Sequence, residues 1–325
     1  MDYFAAGHGS DEDKARNKMG KIAFIYPGQG AQKCFMGQDF YDTYEECAKV
    51  YRMADEILDI SVTELCFTEN EQINQTEYTQ AALVTTCLAI TEKILAMGIK
   101  PDVTAGLSLG EYAAIATAGG FSVADAIKTV RARGIYMEEA VPNGVGAMAA
   151  VLGMDAEAID AVVSPLEDVY VANYNCPGQI VITGKKEAVE TASARLLEAG
   201  AKRCLPLNVS GPFHSPFLQG AGSKLAEFMK DIELGELQIP YVTNVTAESV
   251  TDVACIKPLL ERQVSSSVRW QQSVENMIAD GVDTFVEIGP GKTLAGFIKK
   301  INKDVNVINV SQVSDIGALE CLRKE

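Results

Sequence analysis
The chain has 325 residues, 47% hydrophobic and 22% charged, with 11 prolines; this suits one large α/β domain or two unequal ones and excludes disordered, collagenous and disulfide-scaffold classes. Asp and Glu number 44 against 28 Lys and Arg, and a net charge of -16 argues against a general nucleic-acid-binding or anionic-membrane surface. The eight cysteines show no CxxC pair and no metal-ligand spacing, which points to a reducing, cytoplasmic setting.

Residues 1–18 are polar and lack the apolar centre of a secretory signal, so they read as a disordered leader or an expression remnant, with Met19 as a natural start. Lys21 to Tyr26 (KIAFIY) is a short apolar run that stops at Pro27-Gly28, the pattern of a buried strand entering a turn. The longest apolar stretch, 81–90, is interrupted by threonines and falls short of the roughly 18 residues a membrane span needs. It belongs to a helix predicted over 79–97. Residues 103–107 form the next strand, Ser108 the turn, and Leu109 to Ala118 a helix. A further helix over 122–141 carries Val123, Ile127, Val130, Gly134, Met137 and Val141 on one face.

The texture changes at Gly144. Strand 145–152, helix 155–164, strands 169–174 and 179–183, helix 186–199 and strand 203–209 make a β-α-β-β-α-β unit of ferredoxin-like order. The predicted organisation is therefore a large α/β catalytic domain, 19–143 and 211–325, with a mainly parallel, α/β-hydrolase-like sheet, and an inserted small domain, 144–210. Strands over 284–288 and 305–310 complete the large sheet, and the cleft between the domains is the expected site.

Three glycine loops invite a nucleotide reading and fail it. Gly28-Gln29-Gly30 is followed by Lys33 where glycine or alanine is needed; Gly291-Lys292-Thr293 would need glycine at Val286; Gly289 and Gly291 would need one at Leu294. Gly106-Leu107-Ser108-Leu109-Gly110 is different, because its G-x-S-x-G pattern lies between a strand and a helix, as a nucleophile elbow requires. The glycines admit close backbone approach, and the helix start directs N–H groups and a positive dipole end at the serine. The plain alternative is a serine N-cap. A serine hydroxyl needs a base, and the chain has two histidines: His8 in the polar leader, and His214 where the chain leaves the small domain. No Asp or Glu stands out as the group that orients it, and a backbone carbonyl would serve as well. Arg131 and Arg133 flank the apolar stripe of the 122–141 helix on opposite sides, so periodicity does not choose between them as a planar fork for a carboxylate.

Together these segments resemble the malonyl-CoA:acyl-carrier-protein transacylases and the related acyltransferase domains of polyketide synthases. The resemblance spans about residues 20–315 and rests on Pro27 to Gln32 (PGQGAQ), Gly106 to Tyr112 (GLSLGEY), Arg133-Gly134, Gly211 to Ser215 (GPFHS) and Glu287 to Lys292 (EIGPGK). It implies Ser108 as acylated nucleophile, His214 as base and Arg133 as clamp for the malonyl carboxylate. It further implies an oxyanion hole from the backbone N–H groups of Gln29 and Leu109, and the main-chain carbonyl of Gln263 orienting His214. Many relatives carry His where this chain has Leu107, and Phe213 beside His214 resembles the malonyl-type rather than methylmalonyl-type enzymes. No metal or redox cofactor is implied; the partners are malonyl-CoA and a phosphopantetheinylated acyl carrier protein. A carrier of acidic character would need a basic rim, for which Lys185, Lys186, Lys202 and Arg203, or Lys299, Lys300 and Lys303, are candidates. The competing readings are a serine hydrolase or thioesterase, which passes the acyl group to water, and a non-catalytic acyl-binding module.

Overall fold
The computed structural model describes residues 20–142, 144–209 and 211–323. The expected leader over 1–18 lies outside them. In chain order the strands are β1 (Lys21–Tyr26), β2 (Val103–Gly106), β3 (Gly146–Leu152), β4 (Val169–Cys176), β5 (Gln179–Lys185), β6 (Arg203–Pro206), β7 (Tyr241–Val242), β8 (Ser249–Val250), β9 (Val282–Ile288) and β10 (Asn306–Val310). The α-helices are α1 (Gln38–Thr43), α2 (Glu45–Ile57), α3 (Val62–Phe67), α4 (Thr76–Ala96), α5 (Gly110–Ala118), α6 (Val123–Ala140), α7 (Ala156–Val163), α8 (Lys186–Glu198), α9 (Gln219–Met229), α10 (Ile256–Gln263), α11 (Trp270–Ala279) and α12 (Thr293–Ile301).

One sheet has six strands in the order β10-β9-β1-β2-β7-β8. All its pairings are parallel except β7 with β8. β1 is buried from Ile22 to Tyr26, which is why it reads as an unbroken apolar run: helices cover both faces of a parallel sheet. The register sets Tyr26 beside Gly106, so the loops that follow β1 and β2 emerge together at the carboxyl edge, the usual place for a site in such sheets. Sequence periodicity missed β7 and β8, since two residues each are too few to show alternation.

The long helix α4 is buried on nearly every side. Its threonines sit inside because their hydroxyls are paired: Thr86 Oγ1 donates to the Ala82 carbonyl at 2.9 Å and contacts Tyr51 Oη at 2.8 Å, and Thr91 serves Cys87 and Tyr26 in the same way. Among the described residues, no helix is long and apolar enough to cross a membrane. Gly134 lets α6 approach α4 closely; a Cβ there would lie 2.8 Å from the Thr76 carbonyl oxygen.

The second sheet has four antiparallel strands in the order β4-β5-β3-β6, with α7 and α8 in the connections. Val151, Ile159, Ile182 and Leu196 fill its own core, while Met148, Ala172 and Val181 on its other face join the main core. β6 is shorter than the predicted 203–209: one further bond, from the Leu207 N–H to the Met148 carbonyl, follows Pro206, and the Val209 N–H then turns back to the Leu207 carbonyl instead of pairing with β3.

The EIGPGK segment does structural work. Glu287 at the end of β9 is fully buried and accepts the N–H groups of Leu294 and Ala295 at 3.1 and 2.8 Å, with Asn309 Nδ2 at 2.6 Å. It thereby fastens the first turn of α12, whose N–H groups have no partner within the helix. Replacing Glu287 by Ala orphans these donors and is expected to lower the unfolding free energy by about 2–5 kcal/mol. Urea denaturation checks this, and a loss below about 1 kcal/mol would contradict the anchoring role.

Candidate active site
The turn after β2 is tightly constrained. Ser108 has φ of +51°, in the left-handed region that costs a residue with a side chain about 1–3 kcal/mol. A Cβ on Gly106 would fall 2.0 Å from the Gly110 carbonyl carbon, and one on Gly110 would fall 2.2 Å from the Tyr26 carbonyl oxygen. Both glycines are therefore required by the packing of the elbow against the end of β1. Asn244, just beyond β7, braces the turn on both sides: its Oδ1 accepts the Ser108 N–H at 2.6 Å, and its Nδ2 donates to the Gly106 carbonyl at 2.7 Å. Sequence reading missed Asn244, since a single asparagine in a YVTNVT context carries no spacing signal.

His214, 106 residues further along the chain, brings its Nε2 to 2.7 Å from Ser108 Oγ. Its Nδ1 faces two carbonyl oxygens, Gln263 at 3.0 Å and Ser266 at 3.1 Å. Carbonyls only accept, so Nδ1 carries the proton and Nε2 presents its lone pair to the serine. These carbonyls belong to the end of α10 and the turn after it, where main-chain oxygens lack helical partners and the dipole is negative. The two carbonyls stand at the ring nitrogen where a triad places a carboxylate. Burial first, and the Arg133 charge second, push the His214 pKa down to about 4, so the ring is neutral at ordinary pH.

The structure separates the two arginines. Arg131 is tied to Asp59 through Nε and Nη2, each at 3.0 Å, and to the Glu77 carboxylate at 3.2 Å. Arg133 is buried and bonds neutral oxygens: Gln80 Oε1 at 2.9 Å, Gln263 Oε1 at 3.2 Å and Ser108 Oγ itself at 3.3 Å. Its Nε has no partner among the described residues, and burial draws its pKa below the ordinary arginine value. A buried guanidinium beside the serine, facing only neutral acceptors, is poised for an anion.

Gln29 lies in the loop after β1, which packs on the elbow so closely that a Cβ on Gly28 would stand 2.6 Å from the Leu107 carbonyl oxygen. Its side chain donates to Thr76 Oγ1 at 3.1 Å, and Leu109 is the residue from which α5 starts. Among the described residues, neither N–H has a backbone acceptor. Leu107 packs against the apolar cluster around Val103 and Trp270, and Phe213 is buried in the main core. Beside His214 opens a cavity of about 470 Å³, lined by Tyr170, Tyr174, Val245, Arg262, Ser266 and Arg269 among others. Strand β4 of the small sheet forms one wall, and the segment around His214 with the end of α10 and the loop after it forms the other; its size suits a small extended ligand. Of the predicted basic rim, Lys185 is paired with Asp168 at 2.6 Å and Lys300 bonds Gln179, so those two charges are partly engaged.

Residues 23–320 match the acyl transferase domain family. The chain belongs to that family. It is 46% identical over 313 residues to the malonyl CoA-acyl carrier protein transacylase of Bacillus subtilis strain 168, covering 94% of this chain and 99% of that one. The solved malonyl CoA-acyl carrier protein transacylase of Clostridium perfringens ATCC 13124 superposes with a TM-score of 0.89 at 43% identity, covering 92% of this chain and 95% of that one. A malonyl-transacylase solved in complex with its holo type II PKS acyl-carrier protein gives a TM-score of 0.90 at 38% identity, covering 93% and 99%. This acyl transferase family member thus shares the whole domain of its relatives.

Because burial and the Arg133 charge push the His214 pKa down to about 4, Ser108 reactivity toward a serine-directed acylating or phosphonylating probe is expected to stay level from pH 8 downward. It should fall only as pH drops through about 4, where the imidazole charges. A stopped-flow pH profile of labelling checks this; a midpoint near 6.5 would mean that the ring is not held as described.

Proposed function
We propose that the protein moves a malonyl group from malonyl-CoA to the phosphopantetheine thiol of an acyl carrier protein, by a ping-pong route through a malonyl ester on Ser108. The observation that carries this reading is Arg133, buried at 3.3 Å from the candidate nucleophile and without an anionic hydrogen-bond partner among the described residues. A diacid thioester supplies the missing anion at its free end. In the first half, Ser108 Oγ attacks the thioester carbon while His214 Nε2 takes its proton. The N–H groups of Gln29 and Leu109 hold the oxyanion, and collapse expels CoA as the thiol with that proton. In the second half the carrier thiol gives its proton to His214 and attacks the ester, and the proton returns to Ser108. The imidazolium formed in each half is stabilised by the Gln263 and Ser266 carbonyls. Pairing of Arg133 with the malonyl carboxylate also relieves part of the positive field that depresses His214, so the correct substrate strengthens its own base. An acetyl group leaves Arg133 unpaired and is expected to be disfavoured by up to about 10⁴-fold.

On the same reading, 19–143 and 211–325 form the catalytic, α/β-hydrolase-like domain and 144–210 a ferredoxin-like insert. The elbow after a central strand and the order β4-β5-β3-β6 support this. The cavity beside His214 is the path of the pantetheine arm, and the unpaired cysteines among the described residues suit a reducing cytoplasm.

Intact mass after incubation with malonyl-CoA tests the reading. The expected result is a single malonyl adduct that is absent in Ser108→Ala and that disappears on adding holo carrier protein. Thioester turnover without adduct would indicate a hydrolase; neither turnover nor adduct would indicate a binding module. Arg133→Ala is expected to slow malonyl loading by about 10²-fold or more while acetyl loading holds or rises. Unchanged malonyl loading would remove the clamp role.

A further inference from the structure
Glu111 occupies the first turn of α5, directly behind the elbow, and is fully buried. A carboxylate in that position costs stability unless its charge is used. Its Oε2 accepts the Gln263 Nε2–H at 2.7 Å and the Asn244 backbone N–H at 3.1 Å. The same Gln263 nitrogen donates to the Ser108 carbonyl at 2.8 Å. The Ser108 carbonyl can only accept, as does the ionised Glu111 carboxylate, so one amide orientation satisfies both. Its oxygen then points the other way, to Arg133 Nη2 at 3.2 Å. A flipped amide would set its NH₂ against the guanidinium and its oxygen against the carboxylate, two repulsive contacts. Gln263 meanwhile offers its main-chain carbonyl to His214 Nδ1. One residue thus reaches all three groups, its side chain touching the Ser108 carbonyl and Arg133 and its main-chain carbonyl touching His214, and Glu111 helps set which way the amide faces.

We infer that Glu111 is a positioning residue for diacid selectivity, fixing the Gln263 amide so that the Arg133 fork stays aimed at the acyl group carried by Ser108. Acting through a neutral amide has a consequence. A direct carboxylate on Arg133, like those that hold Arg131, would consume the charge the substrate needs; Glu111 steadies the guanidinium while leaving that charge free. Asn244, held by the same carboxylate, couples the elbow to this arrangement. Burial pushes the Glu111 pKa up to about 7, with the Gln263 and Asn244 hydrogen bonds opposing it.

The inference rests on the malonyl-transfer reading, and the test separates the two. Single-turnover loading of Ser108 from malonyl-CoA and from acetyl-CoA is measured for the full chain and for Glu111→Gln, Glu111→Asp and Glu111→Ala, with thermal melts to establish folding. Failure of the unsubstituted protein to load malonyl overturns the functional reading itself. Given loading, Glu111→Ala and Glu111→Asp are expected to lower the malonyl-to-acetyl rate ratio by about 10-fold or more, since neither reaches Gln263. Glu111→Gln, whose amide oxygen still accepts the Gln263 and Asn244 N–H groups, is expected to stay within about 3-fold of the original ratio. A folded Glu111→Ala or Glu111→Asp that slows both substrates equally, or neither, would overturn the inference; if Glu111→Ala does not fold, Glu111→Asp alone decides it.

Discussion
The 2.7 Å contact between Ser108 Oγ and His214 Nε2 is the interaction on which the rest of the structure depends. It joins two backbone positions that both lie at positive φ, Ser108 at +51° and His214 at +57°, so neither segment would hold its shape unaided. The elbow is held from one side by the end of β1 and from the other by Asn244. The histidine is held by main-chain carbonyls at the carboxyl end of α10 and in the turn after it. The Ser108–His214 pair is thus a meeting of three otherwise independent pieces of the fold: a strand-to-helix turn, a return from the small antiparallel sheet, and a helix terminus.

Electrostatically the site is a balance in which no charge is paired outright. Arg133 faces neutral oxygens, Glu111 faces amides, and His214 is kept neutral by burial and by its cationic neighbour. Such a site is costly at rest and gains from a ligand with one negative end, the reverse of the nearby Arg131, whose two acidic partners make it a structural tie from α6 to α4 and to the loop after α2. The difference between the two arginines lies in what surrounds them and not in their sequence spacing.

Much of this was legible in the sequence. The strands expected over 21–26 and 103–107, the second ending one residue earlier in the structure, the elbow, the lone imidazole outside the leader and the β-α-β-β-α-β order are local or compositional signals, and local signals survive without tertiary information. The resemblance carried the choice of Arg133 and the Gln263 carbonyl. What stayed hidden was tertiary: Asn244, Gln80, Glu111 and the side chain of Gln263 are isolated polar residues whose partners lie 53 to 155 positions away. The Ser266 carbonyl was invisible for a different reason, since a backbone acceptor has no letter in the sequence. The GPGK loop, which superficially suggests phosphate binding, is accounted for by Glu287 anchoring α12.

The most direct test of the central claim is the ¹⁵N spectrum of a sample labelled at histidine, where His8 and His214 are the two residues to assign. For His214 at pH 6 the account predicts a neutral ring with a protonated, pyrrole-type Nδ1 and an unprotonated, pyridine-type Nε2. A proton on Nε2, or an imidazolium at that pH, would contradict it.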